Sequence, residues 1–492
     1  MNFQRNILLS TDSYKLSHFL QYPAATTGMF SYIEARKNNS KLPKAEGVVF
    51  FGLQAFIKEY LLTPITMEQI DEAEAIAKAH GEPFPRKAFE KIITQYGGYL
   101  PLIISAVKEG THVPFGNVMA TVECHDPVLF WLASYIETAL LRAIWYPTTV
   151  CTISNQTKQI ISRYLEETSD DPAGQLPFKL HDFGARGVSS GESAALGGMA
   201  HLVNFMGTDT VEALVAAKRY YGAEMAGYSI PAAEHSTITS WGRSREADAY
   251  RNMIQQFSKP GSIYAVVSDS YDIFNAVDNL WGGELKEEVI AGGGTLVVRP
   301  DSGDPIGTPV RVIVKLAEKF GVTFNSKGYR VLNNVRVIQG DGIGPYEIER
   351  ILQNLKFLGF SADNIAFGMG GALLQQVNRD TFSFSQKCSA IFDAEGNEIE
   401  VYKDPVGGGK TSKRGVITLT TGITESLEHG SCIQKQTLVT KRVSELRKDE
   451  PELLEAVYSH GTLLRNQTFD EIRRLSNETS CSRVLTLGSQ TA

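Results

Sequence analysis

The chain has 492 residues, 42% of them hydrophobic and 21% charged, with a formal net charge of −7. That composition is ordinary for a globular protein and excludes collagen-like, coiled-coil and intrinsically disordered chains. The negative charge argues against generic binding to nucleic acid or to an anionic membrane, so we expect neither as a partner.

The length suggests about two or three domains. Five cysteines without a C-x-x-C spacing argue against a disulfide framework and against a structural zinc site. The first residues, MNFQRNILLSTDSYK, lack the apolar core of a secretory signal peptide, and no apolar run reaches the roughly 18 residues that span a bilayer. We therefore expect a cytoplasmic protein.

Residues 1–150 mix helix-like stretches, such as MEQIDEAEAIAKAH, with short extended pieces. Glycine and proline residues break the stretch PLIISAVKEGTHVPFGNVMATVEC into short strands of the antiparallel kind. This pattern predicts a separate α+β domain over residues 1–150.

Residues 151–393 repeat one local pattern, in which a β-prone run ends in a polar or glycine-rich turn and a helix-like stretch follows. Eight such runs occur: FKLHD (178–182), HLVNF (201–205), GYSIP (227–231), IYAVVSD (263–269), TLVVRPD (295–301), VRVIQGD (335–341), NIAFG (364–368) and CSAIFD (388–393). Strands that alternate with helices indicate a parallel α/β sheet, and eight units predict an irregular (β/α)8-type barrel. An open doubly wound sheet uses the same units and is the alternative.

The tail, residues 394–492, contains further extended segments, including RGVITLTT and IQKQTLVTK. We expect it to pack back on the first domain. Within it, GGGKT at 407–411 resembles the end of a P-loop, but Asp404 stands where that motif requires its first glycine. The stretch is therefore predicted to be a basic loop.

In a barrel the active site lies at the carboxyl ends of the strands. A single aspartate there could simply cap the next helix. A whole rim of carboxylates, arginines and glycines instead indicates a phosphorylated substrate accompanied by Mg²⁺. The residues predicted on this rim are His181, Asp182, Arg186, Asp209, Glu234, His235, Asp269, Arg299, Asp301, Gly340, Asp341, Gly368, Gly370 and Gly371.

The segment NIAFGMGGALLQQ has strand, glycine turn and helix in the order that a phosphate cradle needs, with the helix predicted over 371–380. The turn QGDG at 339–342 is a second candidate of this kind. His235, beside Glu234, is a candidate general base or nucleophile, although a lone histidine is more often structural. His181 is similarly placed but also fits a structural turn.

Ten longer motifs complete this picture: TDSYK (11–15), HDFGARGVSS (181–190), LVNFMGTDT (202–210), GYSIPAAEHSTITSWG (227–242), VVSDSYDI (266–273), RPDSGDP (299–305), RVIQGDG (336–342), NIAFGMGG (364–371), SQKCS (385–389) and KDPV (403–406). In these motifs the chain resembles the nicotinamide phosphoribosyltransferases, which are type II phosphoribosyltransferases, over nearly its whole length. The resemblance implies an α+β domain, an irregular α/β barrel, and a homodimer with active sites at the subunit interface. It also implies condensation of nicotinamide with phosphoribosyl pyrophosphate in NAD salvage, with Mg²⁺ held through substrate phosphates and with ATP as a coupled energy source.

The same resemblance implies roles for individual residues. Catalysis falls to His235, phosphorylated by ATP and oriented by Asp269 and Glu234, and to Asp301. The nicotinamide contacts are Phe183, Asp209, Arg299 and, from the partner subunit, Tyr14; Arg299 and Asp301 also face the ribose. The phosphate and ribose contacts are Arg186, Gly340, Asp341, Gly370 and Gly371. The pyrophosphate contacts are Arg36, Arg379, Ser385, Lys387 and Lys403.

Asp209 favours an amide substrate, because a carboxylate there would repel the carboxylate of nicotinate. The sequence departs from the family pattern at Ala185, at Ala265 and at Met369 with Ala372, none of which removes a charged group. The alternatives are a nicotinate phosphoribosyltransferase, a catalytically silent protein on this scaffold, and a barrel enzyme for another phosphorylated sugar.

Overall fold

The computed structural model describes residues 6–40, 45–406, 411–428, 431–478 and 482–484. The predicted basic loop falls partly on 407–410, outside the described residues. The chain divides into two compact units: the first contains residues 1–152, 219–223 and 378–492, and the second contains residues 153–218 and 224–377.

The first part of the chain alternates short strands with helices. Its strands are β1 (Gly28–Ala35), β2 (Gly47–Val49), β3 (Ile103–Ala106), β4 (His112–Pro114) and β5 (Val118–Cys124), and its helices are α1 (Leu53–Phe56), α2 (Met67–His80), α3 (Arg86–Tyr96), α4 (Leu132–Tyr135) and α5 (Glu137–Thr168). A π-helical turn, Ile57–Leu61, follows α1. Helix α2 shows why such boundaries form: Thr66 and Gln69 make a capping box at its start, and Gly81, at a φ of 91°, ends it.

The second unit contains the parallel sheet. Its strands are β6 (Leu180–Asp182), β7 (Gly207–Thr208), β8 (Ile263–Val267), β9 (Thr295–Arg299), β10 (Val322–Phe324), β11 (Arg330–Leu332), β12 (Val335–Gln339) and β13 (Ile365–Met369). Its helices are α6 (Pro172–Gln175), α7 (Gly191–Leu202), α8 (Val211–Tyr221), α9 (His235–Thr239), α10 (Glu246–Phe257), α11 (Ile273–Asn275), α12 (Lys286–Gly292), α13 (Gly307–Phe320), α14 (Pro345–Phe357) and α15 (Gly371–Leu374), with a π-helical stretch at Ala276–Glu284.

The sheet has six parallel strands in the order β7-β6-β13-β12-β9-β8. Its two outer strands each form one parallel bridge to the segment that follows α8, Gly207 with Tyr228 and Ala265 with Ala232. The predicted strand at 227–231 is thus an extended connection held by isolated bridges. An eight-stranded barrel is not what the described residues form; the fold is mixed α/β with one parallel half-barrel sheet.

Two other predicted barrel strands are wrong. HLVNF begins inside α7, which Ser190 caps by accepting a hydrogen bond from the Ser193 amide. CSAIFD lies in β14 (Phe384–Phe392), which pairs antiparallel with β1 in the first unit. A short apolar run fits a buried strand or the end of a helix equally well, and it says nothing about the pairing partner.

After the second unit the chain completes the first. The remaining elements are β14, β15 (Glu398–Glu400), β16 (Ile417–Glu428), β17 (Ser431–Arg442), β18 (Glu455–Ser459), β19 (Thr462–Leu463), α16 (Phe469–Glu478) and β20 (Ser482–Val484). A seven-stranded sheet has the order β15-β14-β1-β5-β3-β18-β19, so β1 lies between an early strand and a late one. Two smaller sheets, β16-β17-β20 and β2-β4, also belong to this unit.

The core of the second unit lies between the sheet and its helices. Helix α13 buries Val312, Ile313 and Leu316 at helical spacing and packs against β12. Each such side chain contributes about 1.5–3 kcal/mol when fully buried. Among the described residues, no helix combines the length and the apolar character needed to cross a bilayer.

Candidate active site

A cavity of about 470 Å³ opens at the carboxyl ends of the parallel strands, a size suited to a small molecule. Ten residues predicted from the sequence line it, and the structure adds Ala185, Thr210 and Ser236. The lining residues are Phe183, Ala185, Arg186, Asp209, Thr210, Glu234, His235, Ser236, Arg299, Asp301, Gly340, Asp341 and Gly370.

Phe183 forms an aromatic wall of the cavity, and two glycines make room for its ring. A Cβ atom at Gly368 would lie 2.0 Å from Phe183 Cε2, and one at Gly340 would lie 3.3 Å from the same ring. Sequence reasoning attributed these glycines to phosphate binding. In the structure, a side chain at either position would approach the ring of Phe183 too closely. This steric reason for glycine is visible only once the position of the ring is known.

Beneath Phe183 lies an apolar cluster of Ala265, Val297 and Ile338, one from each of β8, β9 and β12. Ala265 is one of the departures from the family pattern, and it is buried in this cluster. The ring of Phe183 therefore packs on apolar side chains, and Ala265 contributes no hydroxyl group there.

Asp209 follows β7 directly and is an exposed acceptor on the rim. Its Oδ1 accepts a hydrogen bond from Ser229 Oγ at 2.7 Å. Ser229 lies in the motif GYSIP, but nothing in the sequence indicated that it would support Asp209. The carboxylate keeps Oδ2 for an incoming donor, since a carboxylate accepts several hydrogen bonds.

Arg299 and Asp301 form a bidentate ion pair at the end of β9. Arg299 Nε donates to Asp301 Oδ1 at 2.9 Å, and Nη2 donates to Oδ2 at 2.7 Å. The two side chains are 23% and 18% exposed, so water screens the pair only in part. This geometry fixes the planes of both groups at the cavity edge.

His235 is the first residue of α9, and its imidazole contacts Asp269. His235 Nε2 lies 3.1 Å from Asp269 Oδ1, with the histidine 48% exposed and the aspartate 6% exposed. Glu234 does not orient the ring as predicted; its carboxylate instead accepts a hydrogen bond from Ser236 Oγ. When Nε2 carries the proton donated to Asp269, the other ring nitrogen, Nδ1, keeps its lone pair.

Behind the rim, His181 is half-buried and Asp182 is fully buried. Burial lowers the pKa of the His181 imidazole, whose Nε2 lies 3.1 Å from the carbonyl oxygen of Phe178. Burial raises the pKa of Asp182 to about 6, and the neighbouring Thr210 hydroxyl and Gly184 amide only partly offset that effect. Sequence reasoning placed both residues on the rim and assigned a role to neither.

The glycine turn after β13 differs from the prediction in its helix. Helix α15 covers only Gly371–Leu374, so the expected helix over 371–380 is wrong. Gly370 lines the cavity, and Gly371 faces open space, where a Cβ atom would meet no neighbour within 4 Å. The backbone of this turn is accessible to a ligand without a long helix behind it.

The residues predicted to bind pyrophosphate all lie in the first unit, and none of them lines the cavity of the second. Ser385 and Lys387 lie on β14 opposite Glu34 and Tyr32 of β1, and Arg36 follows β1. Arg36 Nε donates to the Ser383 carbonyl oxygen at 3.0 Å. The other two, Arg379 and Lys403, are exposed, and Arg379 pairs with Asp380 at 3.0 Å.

Tyr14 also belongs to the first unit and lies on a 3-10 helix, Ser13–Leu20. Its side chain is 56% exposed, and its ring meets His18 edge-on with 4.8 Å between the centroids. The Lys15 ammonium lies 5.5 Å from the centre of the same ring. More than half of the Tyr14 side chain is nevertheless exposed.

The described residues contain no group of three or more His, Cys, Asp or Glu side chains arranged to hold a metal ion. The cavity carboxylates Asp209, Asp301 and Asp341 are suited to Mg²⁺ only if substrate oxygens supply most of its ligands.

Two family models match the chain, one over its N-terminal part and one over its middle and later part. The nicotinate phosphoribosyltransferase (NAPRTase) family matches residues 178–446, and the N-terminal domain of nicotinamide phosphoribosyltransferase matches residues 6–104. Two solved structures have a similar fold at low identity. Nicotinate-nucleotide pyrophosphorylase from Pyrococcus furiosus has a TM-score of 0.60 at 16% identity and covers 97% of this chain and 96% of its own. Human nicotinic acid phosphoribosyltransferase has a TM-score of 0.60 at 15% identity, with 95% and 93% covered.

Curated relatives extend the match to nearly the whole chain. Nicotinamide phosphoribosyltransferase of Xanthomonas campestris pv. campestris is 52% identical, covering 96% of this chain and 98% of the relative. The enzyme of the same name from Acinetobacter baylyi is 31% identical, with 96% and 97% covered. By these matches and by the residues that line its cavity, the chain belongs to the nicotinamide phosphoribosyltransferase family of pentosyltransferases.

Proposed function

We propose that this chain condenses nicotinamide with 5-phosphoribosyl 1-pyrophosphate, giving nicotinamide mononucleotide and pyrophosphate in NAD salvage, and that ATP hydrolysis drives the reaction through a phosphohistidine. The observation that supports this most is the composition of one cavity wall. An aromatic ring, Phe183, and an acceptor carboxylate, Asp209, line the same space as Arg186 and the Arg299–Asp301 pair.

The pyridine ring of nicotinamide stacks on Phe183, a contact worth about 1 kcal/mol in offset geometry. Its carboxamide N–H donates to Asp209, whose other oxygen is already held by Ser229. Nicotinate would bring a carboxylate against that carboxylate, and the repulsion selects the amide. Tyr14 of the partner subunit covers the second face of the ring in the homodimer that we propose.

The reaction forms a bond from the pyridine nitrogen to C1 of the ribose while the C1–O bond to pyrophosphate breaks, its electron pair leaving with pyrophosphate. Positive charge develops at C1, and the carboxylate of Asp301, oriented by Arg299, stabilises it. Arg186 and the backbone of Gly340, Gly370 and Gly371 hold the 5′-phosphate, with Asp341 on the ribose side. When bound through substrate phosphates, Mg²⁺ supplies positive charge to the leaving group.

We assign the pyrophosphate grip to the first unit's Arg36, Arg379, Ser385, Lys387 and Lys403. Arginine suits this role because its fork matches two phosphate oxygens, and lysine supplies a point charge. The cytoplasmic location stays a prediction from the sequence.

His235 accepts the γ-phosphoryl group of ATP on Nδ1, because its Nε2 faces Asp269. As the N–P bond forms, the bond from that phosphorus to the bridging oxygen breaks and ADP leaves; water later hydrolyses the phosphohistidine and releases phosphate. Asp269 stabilises the positive charge on the imidazole as the bond to phosphorus forms. Glu234 stabilises the start of α9 through its hydrogen bond with Ser236, and the contact with the His235 ring is made by Asp269.

A product assay tests the reaction. Purified protein receives Mg²⁺ and phosphoribosyl pyrophosphate with nicotinamide or nicotinate, each with and without ATP, and the mononucleotide is quantified by mass. We expect nicotinamide mononucleotide in excess, and more of it with ATP. Asp209→Ser should lower the preference for the amide, whereas Asp170→Ser, an exposed aspartate outside the cavity, should not. Turnover of nicotinate alone would refute the amide pocket.

Labelling tests the phosphohistidine separately. After incubation with γ-labelled ATP, an acid-labile, base-stable label should be present in the wild type and absent in His235→Asn. The control is His460→Asn, because His460 is exposed in the first unit and its φ of 46° is one that asparagine adopts readily. A label that persists in His235→Asn would remove His235 from the mechanism.

A further inference from the structure

Asp182 has no role in the reaction so far, yet it is completely buried behind the cavity wall. It is the last residue of β6, paired with Thr208 of β7 on one side and with Met369 of β13 on the other. Carboxylates are rarely buried without a partner or a purpose, because desolvating the charge is costly.

One carboxylate oxygen holds the turn that carries the aromatic wall. Asp182 Oδ1 accepts a hydrogen bond from the Gly184 amide at 2.7 Å, and Gly184 lies between Phe183 and Arg186. Side chains cannot readily enter this space, since a Cβ atom at Gly184 would lie 2.6 Å from Leu374 Cδ1. The hydrogen bond from Gly184 to Asp182 therefore stabilises a tightly packed turn.

The other oxygen faces the turn that carries the amide acceptor. Asp182 Oδ2 and Thr210 Oγ1 are both buried, and neither has a hydrogen-bond partner of normal geometry among the described residues, although the Thr210 hydroxyl is close enough to lower the pKa of Asp182. Both side chains border the same narrow space beside Gly198 of α7, where a Cβ atom would lie 2.9 Å from Oδ2 and 3.2 Å from Thr210 Cγ2. The backbone contributes too, because the Asp209 amide donates to the Asp182 carbonyl oxygen at 3.0 Å.

We propose that Asp182 is a positioning residue for nicotinamide: its carboxyl group joins the Phe183–Arg186 turn to the Asp209–Thr210 turn and so sets the aromatic wall and the amide acceptor in register. The residue does not itself reach the cavity. Stacking and hydrogen bonding to one small ring require both turns at once, so a shift of either turn weakens both contacts.

Three variants distinguish an effect of Asp182 on the position of the two turns from an effect on the stability of the fold. Asp182→Ala removes the carboxylate contacts with both turns, at Gly184 and at Thr210. It should raise the KM for nicotinamide about tenfold, with kcat and the KM for phosphoribosyl pyrophosphate changed much less. Asp182→Asn keeps an acceptor for Gly184 and a donor for Thr210, and should restore a nearly normal KM. Thr210→Val removes one of these contacts and should raise the KM for nicotinamide about threefold.

Asp170→Ala is the matched control, because Asp170 also joins a backbone amide and a hydroxyl, those of Ser326, at 3.0 and 2.6 Å. It should lower the thermal midpoint without changing either KM. If Asp182→Ala does not fold, as judged by circular dichroism, Thr210→Val and Asp182→Asn decide the matter.

The proposal rests on the proposed binding of nicotinamide by Phe183 and Asp209. A wild type that does not use nicotinamide refutes that function, whereas an active wild type isolates the role of Asp182. An unchanged KM for nicotinamide in folded Asp182→Ala or Thr210→Val would overturn the proposal. So would equal increases in both KM values, or an Asp182→Asn variant as impaired as the alanine variant.

Discussion

Replacing Gly368 by alanine tests whether the position of the Phe183 ring depends on the lack of a side chain at residue 368. Gly368 lies in β13, and its φ is not in the left-handed region, so the backbone itself tolerates alanine. The new Cβ atom would lie 2.0, 2.1 and 2.9 Å from Cε2, Cδ2 and Cζ of Phe183. Either the ring or the strand has to move.

The size of the effect follows from those distances. Ordinary carbon–carbon contact is about 3.5–4.0 Å, so the ring edge has to retreat by roughly 1.5 Å. Overpacking of this kind costs about 1–3 kcal/mol of folding stability, whereas loss of the stacking face costs about 1 kcal/mol of binding free energy. Since each 1.4 kcal/mol is about a tenfold change in affinity, we expect the KM for nicotinamide to rise about fivefold and the thermal midpoint to fall.

Initial rates at varied nicotinamide, with thermal unfolding of each variant, measure this. Gly340→Ala is the graded comparison, because its Cβ atom would lie 3.3 Å from the same ring, and the effect should be no more than about threefold. Gly187→Ala is the control, because a Cβ atom there meets nothing within 4 Å.

A Gly368→Ala enzyme with an unchanged KM for nicotinamide and an unchanged thermal midpoint would refute the reasoning. The same holds if Gly340→Ala and Gly187→Ala are impaired as strongly as Gly368→Ala, because the effect would then not follow the distance to the ring.

Three further predictions concern charged groups. Asp269→Asn should reduce the stimulation by ATP about tenfold while ATP-independent synthesis stays within about twofold, because His235 loses its charged partner; rates with and without ATP measure this, and equal losses would contradict it. Arg299→Lys should raise the KM for phosphoribosyl pyrophosphate about tenfold, because lysine cannot reproduce the two-pronged contact with Asp301; an unchanged KM would show that the pair is dispensable. Asp182→Asn should gain stability over the wild type as the pH rises. Folding raises the pKa of Asp182 from 3.8 to about 6. The stability of the wild type relative to the variant is therefore greatest below pH 3.8 and falls as the pH rises to about 6. Above pH 6 the difference in stability no longer changes with pH. Urea unfolding at pH 4 and pH 7.5 should show a difference approaching 3 kcal/mol at most, and a difference independent of pH would contradict the prediction.

The rim of the cavity was largely predictable because parallel strands end at one edge, and the sequence marks those ends clearly. A β-branched run followed by Asp, Arg or Gly, as at Arg299 or Gly340, shows both the strand and its exit. Most of the predicted residues were therefore brought together by topology alone.

What failed depended on distant partners. The run CSAIFD is extended, as predicted, but its partner is a strand more than 350 positions earlier, and no local pattern encodes that pairing. The steric role of Gly368 and the contact of Glu234 with Ser236 likewise depend on neighbours that the motif does not contain. Burial of Asp182 was hidden because an aspartate after a strand is normally a cap or a surface ligand.

The position of β1 has a consequence for synthesis on the ribosome. One edge of β1 pairs with β5, but its other edge waits for β14, which leaves the ribosome only after the whole second unit has been made. At about 5–20 residues per second, the nascent chain exposes that edge for some tens of seconds. Unpaired edges of this kind recruit other strands. Aggregation during synthesis should therefore begin at β1, and chaperones that shield extended segments should matter most for the earliest part of this chain.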